Sequence, residues 1–557
     1  MKRVALICLV VACAASAQSE ARESRTVQTA QGPVRGYKTD EVFEFLGIPY
    51  AKAPTGKDRF KAPLPGPVWM QPYEAVNNKI VCPQIFSPMF DLSSYNMQED
   101  CLVANVYMPD TEETNLSVLV YVHGGAYQIG WGEMLLPHSL VKTKKIVAVT
   151  FNYRLGAHGF LCLGTEGAPG NAGMKDQVAL LRWVNKNIAK FGGSPNDVTI
   201  TGSSSGSSAV DLLMLSKMPN GLYHRVIPVS GANVGVWSIQ HDPIQVAKDY
   251  AVKLNFTEKD DVFALEFFYQ TIPFPILLSD NFATKKDSSI GFVPCVERNI
   301  TDETFFEDTP VNILKQGNYR KVPVLYGFAN MDGLMMIRYF SLWKDEMNDN
   351  FAKFLPLDLV FKSDEEQKEV AQIIKEFYFG DNPISEDSVQ GFIDYYTDTM
   401  FTYPHLRSTQ LQVAAGNDAI YLYEYSFFSP HFQIERMPMP EFLSKIHGAN
   451  HGAPTAAVYD MNVKITDDSS ENYLKMREKM RELWLNFITT GKPVPEGSKL
   501  PAWPPVGANR SPHMDLGEEI KLKGPLLEKR ARFWDDIYER YYRMPVPPPK
   551  YSVKSEL

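Results

Sequence analysis

The chain predicts an α/β fold, with a largely parallel central sheet flanked by helices and interrupted by long insertions. Three observations carry that reading. Short β-branched runs, apolar throughout and without strict alternation, recur between residues 118 and 425, and such runs fit strands covered on both faces. Amphipathic helical patterns stand between and after them. No Gly-, Pro- or Ser-rich linker cuts the chain in two, and strand–helix alternation over so long a span builds a parallel sheet through crossovers.

The elements follow in order. Predicted strands are 118–123 (VLVYVH), 146–151 (IVAVTF), 198–201 (VTIT), 226–230 (VIPVS), 322–327 (VPVLYG) and 420–425 (IYLYEY). Val178, Leu181, Val184, Ile188 and Phe191 share one helical face, and Gly192-Gly193 stops that helix. Tyr473, Met476, Met480, Leu483 and Phe487 repeat the pattern up to Gly491, and a further amphipathic segment covers 526–541. The insertions fall at about 235–320 and 335–415, within one large domain spanning 18–544.

The 557 residues are 44% hydrophobic and 22% charged, an ordinary globular composition with ample length for a large core. A net charge of −9 disfavours nucleic acid or an anionic membrane as the main partner. No heptad run or 20–50-residue repeat is visible, which sets aside coiled coils and solenoids.

Both termini carry targeting patterns. Lys2 and Arg3 precede the apolar run from Val4 to Ala15, and Ala15-Ser16-Ala17 is a small-x-small cleavage site, so 1–17 reads as a secretory signal peptide. The run is too short for a membrane anchor, and no other stretch reaches about 18 apolar residues, so no transmembrane segment is expected. Processing leaves 54 basic against 65 acidic residues, near −11. At the other end a stiff Pro-rich stretch, residues 545–549, should hold the tail 545–557 clear of the body. It ends Lys554-Ser555-Glu556-Leu557, which resembles the K-D-E-L address read by an ER-retrieval receptor.

Of six cysteines, Cys8 and Cys13 lie in the signal, and the secretory route permits disulfides among the rest. Cys82 and Cys101 close a short loop. Cys162 and Cys295 sit in apolar runs, where a pair and two buried thiols are both open. Sequons at Asn115, Asn255, Asn299 and Asn509 are glycosylation candidates.

The sharpest chemical signal lies at 197–216. A strand runs through Gly202 into Ser203-Ser204-Ser205-Gly206, and a helix-competent stretch follows. This is G-x-S-x-G between strand and helix, where the glycines allow a turn too tight for side chains and the central serine stays exposed. The bland alternative is a Ser-rich helix cap. A serine hydroxyl needs a base, an orienting carboxylate and donors for the oxyanion. Strand 118–122 ends in His123-Gly124-Gly125-Ala126-Tyr127, so the amides of Gly124 and Gly125, with that of Ser205, are the expected oxyanion donors. His123 itself is read as holding the loop. Asp332 stands where a later strand ends and is a candidate acid, although by itself Asp332-Gly333 reads as an everyday turn. His405, His431, His447, His451 and His513 are downstream base candidates, and only His447 and His451 share a glycine-bearing loop. A zinc reading of that pair fails on chemistry, since a zincin needs H-E-x-x-H on a helix and Gly448, Asn450 and Gly452 disfavour one. No metal or cofactor is expected.

Taken together, the blocks resemble the type-B carboxylesterase and cholinesterase family of α/β-hydrolases, most of all its insect-type carboxylesterases. The blocks occur in order over nearly the whole mature chain. They are Phe45-Leu-Gly-Ile-Pro-Tyr-Ala51, Arg59-Phe60, Glu99-Asp-Cys-Leu102, His123-Gly-Gly125, Asn152-Tyr-Arg-Leu-Gly156, Gly170-Asn-Ala-Gly-Met-Lys-Asp-Gln177, Phe191-Gly-Gly-Ser-Pro195, the serine turn, Ser230-Gly231-Ala232 and Gly448-Ala-Asn-His451. The resemblance implies an α/β-hydrolase fold, a triad of Ser204, Asp332 and His451, an oxyanion hole from Gly124, Gly125 and Ser205, support of the acid by Ser230, and a Cys82–Cys101 disulfide. It implies a serine carboxylic ester hydrolase acting on small to medium apolar esters of hormone, odorant or xenobiotic type. Departures from the family pattern are Ser203 for a common Glu, Asp332 for the usual Glu, and Ala453-Pro454 for acidic residues. A choline esterase is disfavoured because the 82–101 loop holds Phe86 and Phe90 but no Trp to bind a cation. A juvenile-hormone-type esterase, or a non-catalytic adhesion or scaffold protein on the same fold, are the alternatives.

Overall fold

The computed structural model describes residues 22–77, 79–85, 92–278, 285–429, 442–443, 446–461 and 470–551. The signal segment, Phe86, Phe90, His431 and the terminal Lys-Ser-Glu-Leu lie outside these residues. Twelve strands form the main path of one sheet: β1 Ser24–Thr29, β2 Gly32–Thr39, β3 Val42–Pro49, β4 Val103–Pro109, β5 Leu116–Val122, β6 Ile146–Phe151, β7 Gly193–Ser203, β8 Arg225–Val229, β9 Val324–Ala329, β10 Ile420–Tyr425, β11 His513–Leu516 and β12 Ile520–Lys523. Their spatial order is β1-β2-β3-β4-β6-β5-β7-β8-β9-β10-β11-β12. From β6 to β11 every neighbour is parallel, while β1 to β4 meander antiparallel and β12 returns antiparallel on β11.

The apolar runs are explained by burial on both faces. Along β5, Val118, Val120 and Val122 join one core cluster, and Leu119 and Tyr121 join the other. The helices divide accordingly. Helix α1, Ala172–Asn187, lays Val178, Leu181 and Val184 on the first cluster. Three further helices are α2 Ser205–Leu213, α3 Val389–Thr397 and α4 Tyr403–Ala414. Helix α5, Glu471–Thr490, covers the opposite face with Met476, Met480, Leu483 and Phe487, and α6 spans Glu528–Tyr541. Fully burying one such side chain is worth about 1.5–3 kcal/mol. Among the described residues no helix is long and apolar enough to cross a membrane.

The sequence blocks named above interlock. Arg154 from 152–156 pairs with Asp176 from 170–177 at 2.6 Å, both buried, and Arg154 also donates to the Arg59 carbonyl at 3.0 Å. Arg59 in turn lies 3.1 Å from Glu99. A buried guanidinium is costly unless it is paired, and these blocks give Arg154 a carboxylate and a carbonyl acceptor.

Two local expectations change, and a third point that the sequence left open is decided. Strand β7 begins at Gly193 rather than residue 198, because Gly192, at φ +82°, ends the preceding turn and the chain extends at once. The stretch 545–548 does not stand clear of the body. Pro545 and Pro548 are buried, the Val546 amide donates to His241 O at 3.1 Å, and Arg298 Nε donates to Pro548 O. Polyproline backbone leaves its carbonyls unpaired, and here a neighbouring guanidinium takes one. Cys162 and Cys295 form a disulfide, alongside Cys82–Cys101. Processed, unreduced protein should therefore show no maleimide-reactive thiol after denaturation, and changing both Cys162 and Cys295 to Ser should cost about 2–4 kcal/mol in urea unfolding. Two reactive thiols in the wild type would reverse the pairing.

Candidate active site

The strand order reverses about β5, the point at which open α/β sheets place their sites. Register levels the two strand ends there, with Val122 opposite Gly202. The chain leaving β7 turns into α2 through Ser204, at φ +58° and ψ −123°. A serine in that left-handed region costs on the order of 1–3 kcal/mol. The Ser204 amide donates to Val229 O at 2.9 Å and its carbonyl accepts from the Ser208 amide at 3.1 Å. The turn is closed by contacts only glycine permits. A Cβ on Gly202 would lie 2.2 Å from the Gly206 carbonyl carbon, and one on Gly206 would lie 2.1 Å from Val122 O.

The loop leaving β5 wraps the same turn. A Cβ on Gly124 would stand 2.5 Å from Ser203 O and 3.2 Å from Ser204 Cβ. Gly125, Ala126 and Tyr127 follow at φ +111°, +57° and +60°. Three successive positive φ values, two at non-glycine residues, mark a backbone held in place by its surroundings. His123 Nδ1 lies 2.9 Å from Gly124 O, and its ring stacks on Tyr153 with centroids 4.4 Å apart. Burial pushes its pKa down to about 4, so it is neutral and structural. Tyr153 donates to His123 O at 2.9 Å, Tyr127 to Ser208 Oγ at 2.9 Å, and the Gly156 amide to Tyr127 O at 2.8 Å. Gln84 ties this loop to the Cys82–Cys101 loop through both the amide and the carbonyl of Gly130. Sequence reasoning passed over Ala126 because alanine gives no signal of a left-handed backbone.

Asp332 and His451 meet at the ends of β9 and β10. His451 Nδ1 lies 2.8 Å from Asp332 Oδ1. Asp332 is fully buried, and its Oδ2 accepts from Ser230 Oγ at 2.9 Å and the Ala329 amide at 3.0 Å. Both oxygens of this buried carboxyl are therefore partnered. Two contacts pin the loop of His451 to that of Asp332: the Met331 amide donates to Ala449 O at 3.1 Å, and the Ala449 amide to Asn330 Oδ1 at 2.8 Å. Ser230 also links acid to serine turn, since the next residue, Gly231, would place a Cβ 2.2 Å from Ser204 O. The other described downstream candidates have other partners. His405 is buried with Nδ1 2.8 Å from Phe401 O, His447 rests against Phe428, and His513 faces Gly524 O at 2.7 Å. Among the described residues no cluster of three or more His, Cys, Asp and Glu forms a metal site.

Comparison with known proteins agrees in three ways. The sequence pattern of the Carboxylesterase family matches residues 23–534. Esterase FE4 of Myzus persicae is 34% identical over 510 residues, 87% of each chain, and juvenile hormone esterase of Heliothis virescens is 31% identical over 90% of this chain and 92% of its own. The crystal structure of juvenile hormone esterase from Manduca sexta, with OTFP covalently attached, is similar with a TM-score of 0.80 at 28% identity, spanning 93% of this chain and 100% of that one.

Gly206→Ala tests the closeness of the turn. Overpacking against Val122 O should cost about 1–3 kcal/mol or more, read as a lower Tm and lost activity; a variant with wild-type Tm would show that the turn has slack.

Proposed function

Since the chain belongs to the Carboxylesterase family and is a serine carboxylic ester hydrolase, we propose that Ser204, His451 and Asp332 carry its reaction as nucleophile, base and acid. The observation that supports this most is the Asp332–His451 pair, at 2.8 Å, sharing the Ser230–Gly231 turn with the strained Ser204. Asp332 oxygen at Nδ1 fixes the imidazole with Nε2 free to take a proton. Ser204 Oγ attacks the acyl carbon and passes its proton to His451. The tetrahedral oxyanion is received by the amides of Gly124, Gly125 and Ser205, with that of the left-handed Ala126 beside them. The alkoxide leaves with the proton from His451. Water, deprotonated by the same ring, then releases the acid and restores the serine. Each step runs on the chain's own groups.

Small to medium apolar esters of hormone, odorant or xenobiotic type are the proposed substrates. Similarity to two proteins called juvenile hormone esterase favours a hormone ester as the second reading, which the residue Ser203, in place of that group's Gln, speaks against.

The proposed processing removes 1–17 and leaves 18–544 as one hydrolase domain. The candidate glycosylation sites Asn115, Asn255, Asn299 and Asn509 are all exposed, as a glycan requires. Retrieval by a receptor for the Lys-Ser-Glu-Leu end would hold the enzyme in the ER lumen.

Ser204→Ala and His451→Ala should each lower kcat by about 10⁴-fold or more, and Asp332→Asn by about 10⁴-fold, measured on p-nitrophenyl esters of graded acyl length. A fluorophosphonate should label wild-type protein at Ser204. Activity surviving in Ser204→Ala sinks the mechanism, and a folded wild type that takes no label would return the chain to the adhesion or scaffold reading. Deleting residues 554–557 should raise secretion from cells; unchanged secretion rejects retrieval.

A further inference from the structure

Helices α3 and α4 are joined by a π-helical turn, Asp398–Thr402. A π turn changes the backbone hydrogen-bond register and so frees carbonyls from the α ladder. Two carbonyls of the turn are met by side chains, and Met400 O has no α-helical donor because Pro404, four residues on, lacks an N–H. Trp237 Nε1 donates to Met400 O at 2.8 Å, and His405 Nδ1 lies 2.8 Å from Phe401 O. The turn delivers Phe401 to the base, its ring centroid 4.6 Å from that of His451 at 37°. On its other side, His405 Nε2 accepts the Gly231 amide at 3.3 Å.

The partners settle the tautomer of His405. Phe401 O can only accept and the Gly231 amide can only donate, so the proton sits on Nδ1 and Nε2 is bare. The ring is fully buried between Tyr326 and Phe328, at 5.4 and 5.6 Å. Burial pushes its pKa down to about 4, which keeps Nε2 free to accept.

We propose that His405 is a positioning residue of the esterase reaction, one imidazole that braces both the π turn seating Phe401 against His451 and the Ser230–Gly231 turn that hydrogen-bonds Asp332. The proposal rests on the assignment of Ser204, His451 and Asp332 above. Base and acid reach His405 by separate routes, through an aromatic contact and through a backbone turn, so a slip of this ring shifts them relative to each other and to Ser204. Angstrom-scale misplacement of a catalytic group costs up to about 10²-fold in rate.

The test uses full-length processed enzyme, with reactive serine titrated by a fluorophosphonate and kcat and KM measured on p-nitrophenyl butyrate. His405→Phe keeps the ring volume and loses both hydrogen bonds. It should lower kcat per titrated serine on the order of 10- to 100-fold, with KM near wild type. His405→Gln carries one donor and one acceptor and should recover most of that loss. Phe401→Leu should lower kcat in the same way, and combining it with His405→Phe should add less than the product of the two effects. Unchanged kcat per titrated serine in His405→Phe, or equal losses in the Gln and Phe variants, overturns the proposal. If His405→Phe does not fold, unchanged kcat in a folded Phe401→Leu overturns it instead. Activity in Ser204→Ala would strike the triad assignment, a separate result.

Discussion

The close approach of Gly202 to Gly206, and of Gly206 to Val122, is the constraint on which the rest of the site depends. It lets α2 start directly on the end of β7, so Ser204 is forced to φ +58° at the apex of the turn. That geometry stores strain of a few kcal/mol at most, and the hydrogen bonds of the Ser204 amide and carbonyl to β8 and α2 offset it. With β5 and β7 in register, the same turn becomes the wall against which Gly124 lies. Ser204 and the glycine loop are thus positioned by one packing event, and a methyl group at either glycine collides with backbone.

Around that turn the chain sets its buried charged groups opposite partners. Asp332 has three donors from three elements. Arg154 and Asp176 pair in the core, with Arg59 and Glu99 beside them. Lys175 meets Glu297 at 3.1 Å and the Gly170 carbonyl at 2.9 Å, both side chains buried. Removing one partner from such a set leaves an unpaired charge in low dielectric, which costs far more than the pair contributes. This is a physical reason for polar blocks as distant as 59, 99, 154 and 176 to occur together in the sequence.

The central sheet was legible because burial on both faces writes itself as unbroken apolar runs, and β6 and β10 fall where those runs predict. The antiparallel strands β1 to β4 went unread. Residues such as Arg35, Lys38 and Glu44 interrupt their apolar pattern, since one side of that part of the sheet meets solvent and ion pairs. The Pro-rich tail was legible as stiff backbone, but stiffness says nothing about where a segment lies, and a guanidinium from residue 298 decides that. Cys162 and Cys295 stand 133 residues apart, and apolar neighbours suit a disulfide and buried thiols alike.

The sequence by itself determined the fold class, the strained serine between two glycines, and the short list of histidines and acids from which a triad could be drawn. These are local matters, written in residue types whose backbone and side-chain chemistry has few uses. Only the tertiary structure decided that Asp332 and His451 touch, that Ala126 bends with the glycines, and that Phe401 packs on His451 with His405 behind it. Those relations join residues up to 119 positions apart, and their cause is the parallel register and the helix crossovers between strands, which no local pattern records.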